Sequence, residues 1–202
     1  MEYHSGNYEK YMSTNVLKKF MVGKFNQKIT SIAREAVRNA GSESLILDAG
    51  CGEGFLSCLI SNDVPYAKVI GIDASADAIR MAGALNKEIC FQQGDIYKMP
   101  FADKMFDLVV CTEVLEHLDK PNQAVQELLR VAKNAVLISV PNEPWFCLGN
   151  LLTLKNIKRM GNPTDHVNHW TYYGFLKYME KFCGGGLKGY RSFPWSIILL
   201  YK

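Results

Sequence analysis

The segment CTEVLEHLDKP, residues 111–121, sets Glu113, Glu116 and His117 within five positions of one another, directly after an apolar run. Carboxylates and an imidazole at this spacing can hold a divalent cation, move a proton as a general base with helpers, or simply solvate the start of a helix. Were residues 113–117 helical, the three- and four-residue spacings would turn all three side chains to one face. A second polar cluster, NPTDHVNHWTYYGF, carries Asp165, His166, His169 and Trp170. His117, His166 and His169 are therefore the candidate catalytic residues, with His117 expected to act as a base or to orient a substrate.

A third group surrounds the glycines of LILDAGCGEGF. There an apolar strand runs into Gly50, Gly52 and Gly54, and an amphipathic helix follows. Glycines let the backbone turn tightly and approach a ligand, with the amides of the helix amino terminus facing it. Asp48 precedes them and can reach an ammonium group. Asp73, before Ala74, ends the run VIGIDAS, where a carboxylate can accept both hydroxyls of a ribose. Asp95 with Ile96, in QQGDIYKMPF, can hold an adenine amino group and ring.

Alternating elements must position these groups. SLILDAG, KVIGID, EICFQQGD, FDLVVCT and NAVLISV read as strands, with FLSCLISN, ADAIRMAGALNK and NQAVQELLRVAK between them at helical period. Pro121 suits the first turn of the last of these helices. A helix in TYYGFLKYMEKFCGGG precedes LKGYR and PWSIILLYK, two strands able to pair as a hairpin. The expected fold class is α/β, with a mostly parallel sheet. Residues 8–40 read as one or two amphipathic helices. Residues 141–170 are too long for an ordinary connection.

LDAGCGEG, GIDAS, GDIYKMPF, FDLVVCTEVLEHL and LISVPN together resemble the ordered motifs of the class I S-adenosylmethionine-dependent methyltransferases, over roughly residues 44–202. Within that family the pattern is similar to the type 11 and ubiquinone-pathway O-methyltransferases. The resemblance implies a Rossmann-like, doubly wound, seven-stranded sheet with an antiparallel last strand. The length of the chain points to one domain over residues 1–202, with residues 1–40 read as a helical cover and 141–170 as an inserted acceptor-side segment. The resemblance also implies S-adenosylmethionine bound by Asp48, Gly50, Cys51, Gly52, Asp73, Ala74, Asp95, Ile96, Thr112 and Glu113. The expected activity is methylation of an oxygen on a small-molecule or lipid-linked acceptor. A nicotinamide dehydrogenase fits less well, given the alternate glycines, Asp48 and the Asp95 loop.

Two other readings stay open. ExxEH with DHxxxWT resembles the metal-binding pattern of small-RNA 2′-O-methyltransferases, and carried over it makes Glu113, Glu116, His117 and His166 candidate ligands of a divalent metal. The acidic residue beside the tryptophan in that pattern is missing here, and metal-free small-molecule methyltransferases share EVLEHL. The other reading is a non-catalytic protein that binds S-adenosylmethionine.

With 202 residues, 48% apolar and 21% charged, the composition excludes disorder and fibrous repeats. The formal charge of +3 is too mild to call for nucleic acid. Basic residues Lys18, Lys19, Lys24, Lys28, Arg34 and Arg38 are expected to face outward, with Tyr8 or Tyr11 near the cofactor. Six cysteines without a CxxC pair suit a reducing, cytoplasmic setting. Trp145, Phe146 and Leu148 lead into Lys155, Lys158 and Arg159, a pattern that fits peripheral membrane contact through residues 145–159.

Overall fold

Strands rich in apolar residues on both faces need helices on either side of the sheet. That is the arrangement in the computed structural model, which describes residues 14–38, 40, 43–143, 145–152 and 166–202. The strands are β1 (Ser44–Ala49), β2 (Ala67–Asp73), β3 (Cys90–Gln93), β4 (Phe106–Thr112), β5 (Ala132–Pro141), β6 (Gly186–Ser192) and β7 (Trp195–Tyr201). Their order in one sheet is β3-β2-β1-β4-β5-β7-β6. β7 runs antiparallel to both β5 and β6, and every other pairing is parallel. The order reverses between β1 and β4, where the crevice for a ligand opens at the carboxyl ends of the strands.

Side chains alternate across the sheet with period two. Ile46, Val110, Leu137 and Ile197 face one core, shared with α1 (Val16–Val37) and α2 (Phe55–Asp63). Leu47, Val109, Ile138 and Ile198 face the other, where Leu128 and Phe175 pack from α4 (Pro121–Val131) and α6 (Tyr172–Glu180). α3 (Ala76–Leu85) follows β2, capped by the Ser75 hydroxyl, which accepts the Ala78 amide at 3.2 Å. Pro121 does sit in the first turn of α4.

Among the described residues, the stretch before β1 holds one continuous helix, α1, because Val22, Phe25, Ile29, Ile32 and Val37 form an uninterrupted buried stripe. Lys19, Lys24, Arg34 and Arg38 are exposed, and Lys28 lies 4.8 Å from the centre of the Tyr190 ring. Tyr8 and Tyr11 fall outside the described residues. Within the long segment after β5, α5 spans Trp145–Leu152; Lys155, Lys158, Arg159 and Asp165 fall outside the described residues.

Candidate active site

The glycine loop hangs from the end of β2. The Gly50 and Cys51 amides both donate to the Ile72 carbonyl, at 2.8 and 3.0 Å. Gly50 has φ +79°, and a Cβ there would collide with Val114. Only glycine meets both demands without strain. Gly54 (φ 78°) stands at the amino terminus of α2. Below the loop, Asp48 is buried and accepts the Ser57 hydroxyl at 2.5 Å. Burial pushes its carboxyl up to about 6, with the Ser57 hydrogen bond pulling the other way and the nearby Asp73 adding to the rise. Burial also pushes the Cys51 thiol up, so Cys51 is a packing residue rather than a nucleophile.

Asp73 closes the loop from β2. Its two oxygens accept the Gly52 amide at 2.9 Å and the Ser75 amide at 2.8 Å. Asp95 turns its own chain, accepting the Tyr97 amide at 2.8 Å, with Ile96 partly buried beside it. Asp48, Gly50, Asp73, Asp95, Thr112 and His117 all border one cavity of about 550 Å³, to which α1 contributes Phe25. A volume of this order suits a single small ligand or cofactor.

The turn after β4 departs from the helical expectation for EVLEHL. Only Leu115–His117 form a turn, of 3-10 type, and Glu113 precedes it at φ 58°. That left-handed step swings Glu113 off the face of Glu116 and His117. Its Oε2 accepts the Trp195 indole N–H at 2.6 Å, and its amide donates to the Ser139 carbonyl at 3.1 Å. Glu113 therefore braces β7 against the end of β4, and it is not among the residues whose ligand atoms converge. Glu116, His117 and His166 do converge, with ligand atoms within 4.8 Å of one another. His117 is partly exposed; Glu116, buried, lies 4.0 Å from its Nε2. The His166 ring meets that of His117 edge to face, centres 5.0 Å apart.

The chain from His166 to Tyr172 is laid across this turn by backbone bonds. The Glu116 carbonyl accepts the Val167 and Asn168 amides at 2.9 and 3.0 Å. The Asn168 side-chain amide donates to the Leu115 and Leu118 carbonyls at 3.1 and 2.6 Å. At the other side, Glu143 donates its amide to the Trp170 carbonyl at 2.9 Å, and Asn142 accepts the Tyr172 amide at 3.0 Å. Glu143 thus joins His166 and His169, its Oε1 lying 3.5 and 3.7 Å from their Nδ1 atoms. Burial by itself would raise the Glu143 carboxyl; His166, the Cys147 thiol and His169 hold it below the usual carboxylate range.

Residues 47–139 match the profile of a family described as a methyltransferase domain. That stretch runs from β1 to β5 and contains the glycine loop, Asp48, Asp73 and Asp95, and the turn at Leu115–His117. Over that stretch, a little under half of the chain, the sequence is similar to a methyltransferase domain. An uncharacterized methyltransferase of Schizosaccharomyces pombe is 40% identical over 99 residues, 44% of this chain and 36% of its own length. The mitochondrial ubiquinone biosynthesis O-methyltransferase of Dictyostelium discoideum is 28% identical over 155 residues, 68% of this chain and 47% of its own length. The match thus spans under half the length of these curated relatives. Among solved structures, a plantazolicin methyltransferase in complex with a monoazolic desmethylPZN analogue and SAH superposes with a TM-score of 0.74. It is 19% identical, with 98% of this chain and 90% of that chain covered, a likeness of fold.

Within this sheet, the anticipated residues fall into three places. Asp48, Gly50, Cys51, Gly52, Asp73, Ala74, Asp95, Ile96 and Thr112 border the cavity. Glu113 borders it too, but its carboxylate is turned to Trp195. His117 stands at the cavity with His166 behind it, and His169 reaches Glu143 instead. Sequence reasoning missed Asn142, Glu143 and Asn168. The run VPNEP after β5 was the available signal for the first two, since strand ends in this fold carry its polar groups. No helix among the described residues is long and apolar enough to cross a membrane.

Proposed function

We propose that the chain binds S-adenosylmethionine in this cavity and methylates an oxygen of a small-molecule or lipid-linked acceptor, with His117 receiving the acceptor's proton. When bound, the cofactor supplies a methyl group already activated on a sulfonium sulfur. The loop fits such a ligand because Gly50 and Gly52 take positive φ and carry side-chain-free backbone along the cavity wall. The Gly52 and Ser75 amides hold the Asp73 carboxylate in one orientation. Each of its oxygens keeps a second acceptor direction for a ribose hydroxyl. Asp48 offers its buried carboxyl to an ammonium group, and a cation there would favour its ionised form.

The observation that carries the acceptor reading is the place of His117. It borders the same cavity as Asp48 and Asp73, is partly exposed to it, and has the Glu116 carboxylate 4.0 Å away. An imidazole so placed can take a proton from a hydroxyl while the carboxylate steadies the cation that forms. The name of the Dictyostelium relative supports oxygen as the accepting atom. Exposure of Trp145 (50%) and Phe193 (62%), with rings 6.1 Å apart, supports an acceptor carried by a lipid.

The test is transfer of labelled methyl from S-adenosylmethionine to polyprenylated and plain catechols. His117→Ala is expected to lower kcat by at least ~100-fold, the usual scale for a general base, while binding of S-adenosylhomocysteine stays intact. Unchanged turnover in His117→Ala removes the base assignment. Tight cofactor binding with no transfer to any hydroxyl acceptor overturns the reading.

A further inference from the structure

His166 sits where its chemistry is hard to explain by packing alone. Its side chain is 6% exposed, yet its Nδ1 is buried and finds no hydrogen-bond partner among the described residues. The same is true of Glu143 Oε1, the atom facing it at 3.5 Å. The attraction between these two buried atoms helps hold the Glu143 carboxyl down, yet their separation is too long for a well-formed hydrogen bond. A third donor, His169 Nδ1, lies 3.7 Å from the same carboxylate oxygen.

These separations are long for hydrogen bonds and right for ligands sharing an ion. Zinc bonds of about 2.0–2.1 Å to nitrogen and oxygen place tetrahedral ligand atoms about 3.3–3.4 Å apart. The observed 3.5 and 3.7 Å edges need only a few tenths of an ångström of closure. The donor set, two imidazoles and a carboxylate, is one that borderline divalent metals prefer over magnesium or calcium. Support behind the ligands is present as well. Cys147 donates to Glu143 Oε2 at 2.7 Å, which directs Oε1 toward the histidines. Phe146 stacks on the His166 ring, with centres 5.6 Å apart.

We propose that Glu143, His166 and His169 bind one divalent cation of the zinc type, which clamps the turn after β5 to the chain entering α6. The ion sits behind His117, orders the His166 ring against which His117 rests, and leaves a fourth coordination position for water. Glu116, His117 and His166 form an overlapping triad, but the 4.0 Å between His117 Nε2 and Glu116 Oε1 is the wider edge. The site is independent of the methyl-transfer reading, because its test needs no acceptor.

The experiment strips the full chain with a chelator, adds zinc or cobalt(II) alone, and measures retained metal after gel filtration together with the visible bands of bound cobalt. The wild-type protein and His117→Ala are expected to retain one ion per chain. Glu143→Gln and His169→Ala are expected to bind it at least ~100-fold more weakly, while still binding S-adenosylhomocysteine, which reports their folding. His169 is 40% exposed on its side chain, so its variant keeps the test open should Glu143→Gln fail to fold. No ion retained by the wild type overturns the proposal. So does an ion lost in His117→Ala but kept in the other two variants, because it would then belong to the overlapping triad.

Discussion

Asp48→Asn is expected to stabilise the protein while weakening its cofactor site. The Asp48 carboxyl titrates near 6 in the folded chain against an ordinary 3.8, chiefly because burial penalises its charge. At about 1.4 kcal/mol per pH unit, that difference makes the buried charge cost about 3 kcal/mol once it is fully ionised. The folded state binds this proton more tightly than the unfolded state. Stability contributed by the group is therefore present below about pH 4, falls as pH rises through about 6, and levels off above. Asparagine removes the titration and still offers an oxygen to the Ser57 hydroxyl. The variant should exceed the wild type by up to about 3 kcal/mol at pH 7.5, about 6–12 °C in Tm for a chain of this size. The gap should shrink to nearly nothing by about pH 4. Calorimetric melts of both proteins across that range provide the assay. A gap that does not change with pH, or a less stable variant at pH 7.5, refutes the reasoning.

Two other substitutions probe the acceptor side. Trp195→Phe takes the 2.6 Å indole donor away from Glu113 and should cost about 1–3 kcal/mol in urea denaturation, the scale for a buried bond to a charged group. No loss would mean that the left-handed turn at Glu113 is held by other contacts. Asn168→Ala removes both bonds to the Leu115 and Leu118 carbonyls, so amide exchange should accelerate at Val167 and around the turn before it does elsewhere. Uniform protection in the two proteins would show that the segment is anchored at Glu143 and Asn142 instead.

Much of the sheet was legible because its signals are local. An apolar run ending in Asp48 and three glycines can be read without knowing any partner, and Gly50 then takes the positive φ that the turn requires. Pro121 marked the start of α4 for the same reason. EVLEHL was harder. Its spacing suits a helix, but the bond from Glu113 to Trp195 joins residues 82 apart in sequence, and no local pattern reports it. Glu143 escaped notice for a related reason: it becomes informative only beside His166 and His169, which a long connection separates from it.

The sequence by itself determined the order of strands and helices, the glycine loop and the carboxylates at the ends of β1, β2 and the Asp95 turn, since periodicity and turn chemistry act over a few residues. Tertiary structure decided which polar groups share a site. It parted Glu113 from Glu116 and His117 through one left-handed residue, and it brought Glu143 to the histidines through the backbone bond between Glu143 and Trp170. Side-chain convergence depends on contacts between distant segments, where a single backbone angle or one cross-chain hydrogen bond redirects a carboxylate.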